Sequence, residues 1–427
     1  MKLWKEIEIL IKDSFQKGFF NLLSANVLIQ AVAFASQLFV AGILSPEDIG
    51  RIKILQTWLS LFSIVAGMGF NSSTLKLCSE NRSKEETHAI FAFGIFFTLV
   101  TTVTAYIFIL IISQLNLLSQ DKIIQSLIPL ALLPIFCTAF FSLFIAYYQS
   151  KKRIKLISNL TSISKILGIL LIISFTYFLG IKGYYIGYNI AMLLSLIIVL
   201  IVSKSSKPEQ FFRQALSKRN FKLHWEYARP SFFSNILAEL SAYADILFIN
   251  FLITDIYGIG QYSFALTLTV LYRILPSTVQ QITTPYFSGL SNNKFSFSQA
   301  YKKYSKLLIL IIIVCLILGV LLVPPIIAFL FDGKFNATFK YFIPLSIGWS
   351  IRQFNQIQSA ALFGLGKINY IANSQLLSLF FNIIVIYISL HFWGLQGVSY
   401  ASIICSVFAI SVVALYLKKA KRGYEDN

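Results

Sequence analysis

The chain has 427 residues, is 57% hydrophobic and only 12% charged, and has a mean hydropathy of +0.74. A soluble domain carries about a quarter charged residues, so a soluble globular protein is excluded and one polytopic membrane bundle is expected. A net charge of +19 would suit nucleic acid, but the basic residues fall in the loops between apolar runs, and no nucleic-acid partner is expected.

The first 18 residues, MKLWKEIEILIKDSFQKG, are interrupted by charges and are no cleavable signal. Leu3, Trp4, Ile7, Leu10, Ile11 and Phe15 follow helical spacing and predict an amphipathic helix on the inner membrane face. Twelve apolar runs of membrane-crossing length follow, at 19–43, 53–75, 88–113, 126–148, 156–179, 184–203, 229–253, 260–285, 305–330, 338–363, 368–391 and 394–417. The reading is an all-α protein with a six-helix bundle over 19–203, a basic linker over 204–228, a second six-helix bundle over 229–417 and a basic tail over 418–427. With both ends in the cytoplasm, the inner segments hold 27 Lys and Arg, the outer segments 6, and three lie within spans. That bias predicts the orientation.

The halves resemble each other. SPEDIGRI and DIYGIGQY each follow the first span of a half and bring Gly50 into line with Gly260. Later, GIKGYYIGY from Gly180 aligns with GLQGVSYAS from Gly394, and Lys152 with Gly366, both at an offset of 214. An even number of spans per half makes this a parallel repeat about an axis normal to the membrane, and transporters built this way commonly bind substrate between the halves.

The charges inside the spans carry the functional signal, because an ionised side chain in hydrocarbon is costly and by default faces a bundle interior or wet cavity. The cations are Lys165, Arg273 and Arg352; the acids are Glu239 and Asp245. Ser231, Asn235, Glu239 and Tyr243 recur every fourth residue, and Thr269, Arg273, Ser277 and Gln280 nearly so, giving two helices one polar face each. Around Arg352 the run WSIRQFNQIQSA, with Gln356, is polar on more than one face. Gln30 adds a polar group on the first span. One reading is a cationic cavity lined by Arg273, Arg352 and Lys165 with Asn235, Gln356, Gln280 and Gln30, holding an anionic substrate group; Arg suits phosphate best. The other is internal neutralisation, for example Glu239 with Arg273 or Lys165, with Asp245 capping the outer end of the bundle. Glu239 is also a candidate proton or cation site for coupling. Cys78, Cys137, Cys315 and Cys405 show no metal or disulfide spacing, and His88, His224 and His391 are scattered, so no catalytic or metal centre is expected.

LSPEDIGRIKILQTWLSLFSIVAGMGFNSSTLKL from Leu44, with its turn of Pro46, Glu47, Asp48 and Gly50, resembles the segment after the first span of O-antigen and capsule repeat-unit flippases. These form the polysaccharide transporter branch of the superfamily that also holds the multidrug and toxin extruders (MATE) and the lipid II flippases. Asp245 followed by Gly260-Gln261-Tyr262, then FDGKFNATFKYFIPL and GLQGVSYAS, complete the resemblance over nearly the whole chain. It implies a V-shaped pair of six-helix bundles in a bacterial plasma membrane. It implies flipping of undecaprenyl-diphosphate-linked oligosaccharide repeat units, for O-antigen, capsule or exopolysaccharide, with Arg273, Arg352 and Lys165 at the headgroup. It implies no cofactor beyond a coupling H+ or Na+, and partners among membrane lipids, a polysaccharide polymerase and a chain-length regulator. Lipid II flippases carry further arginines on spans one and two; here span one has none, and Arg51 and Lys53 are expected at the outer entrance. A MATE-type drug exporter is the runner-up, disfavoured by the net cationic cavity. A polymerase is disfavoured by short outer loops.

Overall fold

The computed structural model describes residues 19–80, 82–203, 216–290 and 293–422. The amphipathic helix expected over 1–18 lies outside them, as do most of the linker and the end of the tail. Every regular element among the described residues is helical: α1 (Phe19–Ile43), α2 (Pro46–Gly67), α3 (Phe70–Ser79), α4 (Lys84–Gln114), α5 (Lys122–Ser150), α6 (Ile154–Ser203), α7 (Lys218–Leu252), α8 (Ile256–Thr269), α9 (Leu271–Gly289), α10 (Lys294–Phe331), α11 (Phe339–Arg352), α12 (Asn355–Gly364) and α13 (Ile368–Arg422), with one 3-10 turn at Asn336–Thr338. Seven of these helices are long and apolar enough to cross a membrane.

The apolar runs map onto these helices with local differences. α6 and α13 each hold two spans joined at a sharp bend, at Gly180 (φ 60°, ψ −140°) and Gly394 (φ 58°, ψ −150°). Their left-handed backbone is available to glycine without the Cβ clash other residues meet. Three spans are instead broken into two helices: α2/α3 at Met68-Gly69, α8/α9 at Val270, and α11/α12 at Gln353-Phe354. The second span starts at Pro46 rather than at 53. Ser45 accepts the Asp48 amide as N-cap and Pro46 presets the first turn. Likewise α8 starts at Ile256, where Asp255 accepts the Gly258 amide. The segment Lys218–Ala228, read as linker, is already helix and opens α7.

The internal repeat is visible in the backbone. Lys152 and Gly366, 214 residues apart, both have positive φ (57° and 69°). A Cβ on Gly183 would strike the Phe175 carbonyl, and one on Gly397 the Ser389 carbonyl, the same contact repeated at that offset. The core divides in three. One cluster draws on both halves, from Val40, Leu44 and Ile54 to Tyr262, Phe335 and Val398. A second belongs to the N-terminal half together with the start of α7, around Phe70, Phe91, Tyr148 and Ala228. A third belongs to the C-terminal half, around Phe287, Tyr304, Ile357 and Leu417. The halves are thus joined at the end with few basic loop residues and keep separate cores toward the cation-rich end, which makes the V.

The joined end is held by close backbone approach and a lysine. Gly50 on α2 faces Gly260 on α8, its notional Cβ only 2.9 Å from the Gly260 nitrogen, and a Cβ on Gly260 would run into the Pro46 carbonyl oxygen. Lys334 donates to the carbonyls of Ala41 (2.9 Å) and Gly42 (3.2 Å) at the end of α1, where a cation also suits the helix dipole. Burial holds its amine below the usual lysine range, against the pull of Asp48 and Glu47.

Candidate functional site: a cationic cavity in the C-terminal half

The span breaks create the site. At Val270 and at Gln353 the backbone tightens into i→i+3 bonds (Arg273 N to Val270 O, 3.0 Å; Gln356 N to Gln353 O, 3.0 Å). Arg273 therefore sits in the first turn of α9 and Arg352 in the last residue of α11. Pro276, one turn on from Tyr272, has no N–H for the Tyr272 carbonyl, which favours irregular backbone here. Broken helices at membrane depth are tolerated where they line a cavity, and here they do.

Arg273 and Arg352 both line a cavity of about 470 Å³, bounded by α7, α9, α11, α12 and α13. With them stand the carboxamides Gln280, Gln353, Asn355, Gln356 and Gln375, the hydroxyls of Thr284, Ser359, Ser374 and Ser378, and Trp349. Among the described residues no carboxylate lines it. The Arg352 guanidinium lies 5.4 Å over the Trp349 ring, which fixes its approach from one side. Gln353 Oε1 and Asn355 Oδ1 are buried with no hydrogen-bond partner, acceptors left for a ligand or water.

A second, smaller pocket of about 40 Å³ adjoins across Ser241, Ala242, Trp349 and Arg352, and it contains Asp245, Tyr262, Asn382 and Ser402. Asp245 accepts a hydrogen bond from the buried Tyr262 hydroxyl (2.7 Å) and from the Ile246 amide (2.8 Å). The aspartate and the Gly-x-Tyr turn picked out by the resemblance are thus bonded to each other, and Asp245 ties α7 to α8. Its opposite charges are Arg352 and Lys53. Lys53 reaches inward from the joined end. The early start of α2 carries it into the bundle, 5.3 Å over the Tyr243 ring of α7. Arg51 stays at the joined end, bonded to Asp48 (2.9 Å) and Asp121 (3.1 Å).

The remaining sequence candidates fall elsewhere. Glu239 accepts from the Ser60 hydroxyl of α2, across the two halves. Among the described residues no ion pair within 4.0 Å joins Glu239 or Asp245 to Arg273, Arg352 or Lys165. Lys165 and Asn235 are exposed and Gln30 is half-buried; none of the three lines either cavity. Sequence reasoning passed over Trp349, Gln375, Ser374 and Ser378. The last two, with Asn382, recur every fourth residue along α13, the same rhythm that marked the other polar faces.

This arrangement of paired helical bundles has known structural counterparts. The chain superposes on an inward-facing multidrug resistance MATE family transporter of the MOP superfamily with a TM-score of 0.74 at 15% identity, covering 92% of this chain and 96% of that one. It superposes on the lipid II flippase MurJ in an inward closed conformation at 0.73 and 16% identity, covering 92% and 87%. An outward-facing MATE transporter gives 0.65 at 17% identity, covering 95% and 94%. These likenesses establish the fold, which is the one the resemblance implied. The family described as polysaccharide biosynthesis protein matches residues 15–291, and the chain belongs to that family. No curated protein matches it at a significant level.

Proposed function

We propose that the protein flips undecaprenyl-diphosphate-linked oligosaccharide repeat units from the inner to the outer leaflet of a bacterial plasma membrane, with both termini in the cytoplasm. The observation that carries this reading is the convergence of Arg273 and Arg352 with five carboxamides in a cavity that no carboxylate among the described residues lines. Guanidinium groups bind diphosphate oxygens in bidentate fashion, and carboxamides and hydroxyls suit sugar hydroxyls. The cavity volume is that of a ligand headgroup, so the isoprenoid tail stays in lipid. Membership in a polysaccharide biosynthesis family and a fold shared with a lipid II flippase support the same substrate class. A drug exporter for organic cations would want the opposite charge in its cavity.

The three-part core supports alternating access. The joined end opens as the separated cores close, and the Gly50–Gly260 approach and the Lys334 contact are the parts that must give way. Asp245 and Glu239 are the carboxylates available to a coupling proton or sodium ion. Arg352 faces both the anion cavity and the Asp245 pocket, so charge on Asp245 and anion occupancy are electrostatically linked.

The test is a deletion strain grown with a labelled sugar. Accumulation of lipid-linked single repeat units on the inner face, with loss of surface polysaccharide, is expected. Surface loss with repeat units still reaching the outer leaflet would indicate a polymerase instead. No change in either would return the drug-exporter reading.

A further inference from the structure

The first turns of α7 have no part in the cavity, yet their orientation is tightly fixed. His224 is buried and uses both ring nitrogens: Nε2 donates to the Ile90 carbonyl (3.1 Å) and Nδ1 bonds with Ser73 Oγ (2.7 Å). Its ring stacks on Phe93 at 4.9 Å. Ala228 is fully buried against Gly69, where a Cβ would strike the Ala228 carbonyl. These contacts pin one face of α7 to α3 and α4.

The opposite face is left outward and is ordered along its length. Lys218, Lys222, Trp225, Arg229 and Phe233 are all exposed and share about 100° of the helix circumference. Arg219 and Phe221 flank the stripe, the Phe221 ring stacked on Trp225 at 5.9 Å. Cations come first, the indole next, Arg229 after it, and phenylalanines last. Beside Arg229 lies an apolar pocket of about 190 Å³ formed by Met68, Trp225, Phe232 and Phe233. The one acid on this stretch is Glu226, also exposed; Glu86 of α4 lies 4.0 Å from Arg219.

We infer that this face of α7 seats an anionic phospholipid of the adjacent leaflet, its phosphate between Lys222 and Arg229 and the start of one acyl chain in the pocket of Met68, Trp225, Phe232 and Phe233. The order of side chains along the helix is the order of a leaflet: charge at the headgroup, Trp at the interface, Phe at the acyl chains. Four Lys and Arg beside a membrane helix attract anionic lipid by about 1 kcal/mol, a factor of about five, for each cation near the surface. A stripe that served only to set topology would need the cations but neither the locked rotation nor the apolar pocket beside Arg229.

The experiment is native mass spectrometry of the purified full-length protein titrated with phosphatidylglycerol or with zwitterionic phosphatidylethanolamine. Wild type should retain phosphatidylglycerol in preference. The double variant Lys222→Gln/Arg229→Gln should lose these adducts on the order of twentyfold, while Lys302→Gln/Lys306→Gln at the start of α10 keeps them. Phe233→Ser, which opens the pocket without touching charge, should lower retention by a smaller factor. Equal retention of the two lipids by wild type would overturn the inference, as would equal loss in both double variants, which would mean that any basic loop suffices. Displacement of the lipid by millimolar inorganic phosphate would also overturn it, since it would mark a phosphate site with no acyl component. Elution of the variants at the wild-type volume separates loss of lipid from loss of fold.

Discussion

The two halves follow one backbone plan and enclose opposite chemistry. The C-terminal half surrounds a polar cavity of about 470 Å³ with two guanidiniums. The N-terminal half packs rings into its own core: Phe91 stacks on Tyr147 at 4.1 Å and meets Phe144 edge-on at 5.2 Å, and Phe93 stacks on Phe97 at 4.4 Å. A gap within its apolar core, about 10 Å³ among Leu55, Leu59, Phe62 and Ile135, has room for nothing larger than a water. What the repeat preserves is where the chain bends, at Gly180 and Gly394 and at Lys152 and Gly366. What it does not preserve is the polar faces. On the function proposed above, one half would hold the substrate group and the other would serve as a stiff, dry body against which it moves.

That comparison breaks first at the guanidiniums. Arg352→Ala and Arg273→Ala should each reduce export of labelled repeat units more than tenfold with membrane levels unchanged, since losing one partner of a desolvated charged contact costs about 2–5 kcal/mol. Arg352→Lys should recover little, because an ammonium lacks the planar fork. A matched change in the dry half, Phe93→Leu, should lower thermal stability by about 1 kcal/mol and leave export near wild type. Normal export by both arginine variants would end the division of labour between the halves.

The next effect belongs to the pocket beside the cavity. Tyr262→Phe removes a hydrogen bond to the Asp245 carboxylate, worth about 1.5–3 kcal/mol for a charged acceptor. A fall in thermal stability of that size should accompany a several-fold loss of export. An unchanged melting curve would show that the α7–α8 contact does not depend on it. Gly260→Ala tests the joined end: its Cβ meets the Pro46 carbonyl, and the strain of about 1–3 kcal/mol should push the halves apart there. Cysteines placed at the cation-rich end should then label more slowly than in wild type.

The sequence made the helices, the repeat and most of the charged residues legible, because apolar length and the four-residue rhythm are local properties. Arg273, Arg352, Gln280 and Gln356 were found this way and share one cavity. Rotation about a helix axis and the position of a break are not local. Ser45 and Pro46 together start α2 early and carry Lys53 inward, a shift readable from the cap but outweighed by the apolar pattern that began later. Trp349 is an ordinary aromatic until the break after Arg352 turns it toward the guanidinium. The location of the cavity inside one half, rather than between the two, depends on how five helices of that half pack.

The smallest effect separates rhythm from geometry. Lys165 follows Ser158, Thr161 and Ser162 on a polar helical stretch, the pattern by which it entered the cationic set. It is exposed and touches neither cavity, whereas Lys53 is half-buried above Tyr243 and within reach of the Asp245 charge. An exposed substitution away from a packed feature shifts stability by less than about 0.5 kcal/mol, so Lys165→Gln should change export by less than about twofold. Lys53→Gln removes the only cation that the N-terminal half brings to Asp245 among the described residues, and it should reduce export more than Lys165→Gln does. The reverse order would mean that the substrate path follows the polar face of α6 and that the dry half takes a share in holding the headgroup.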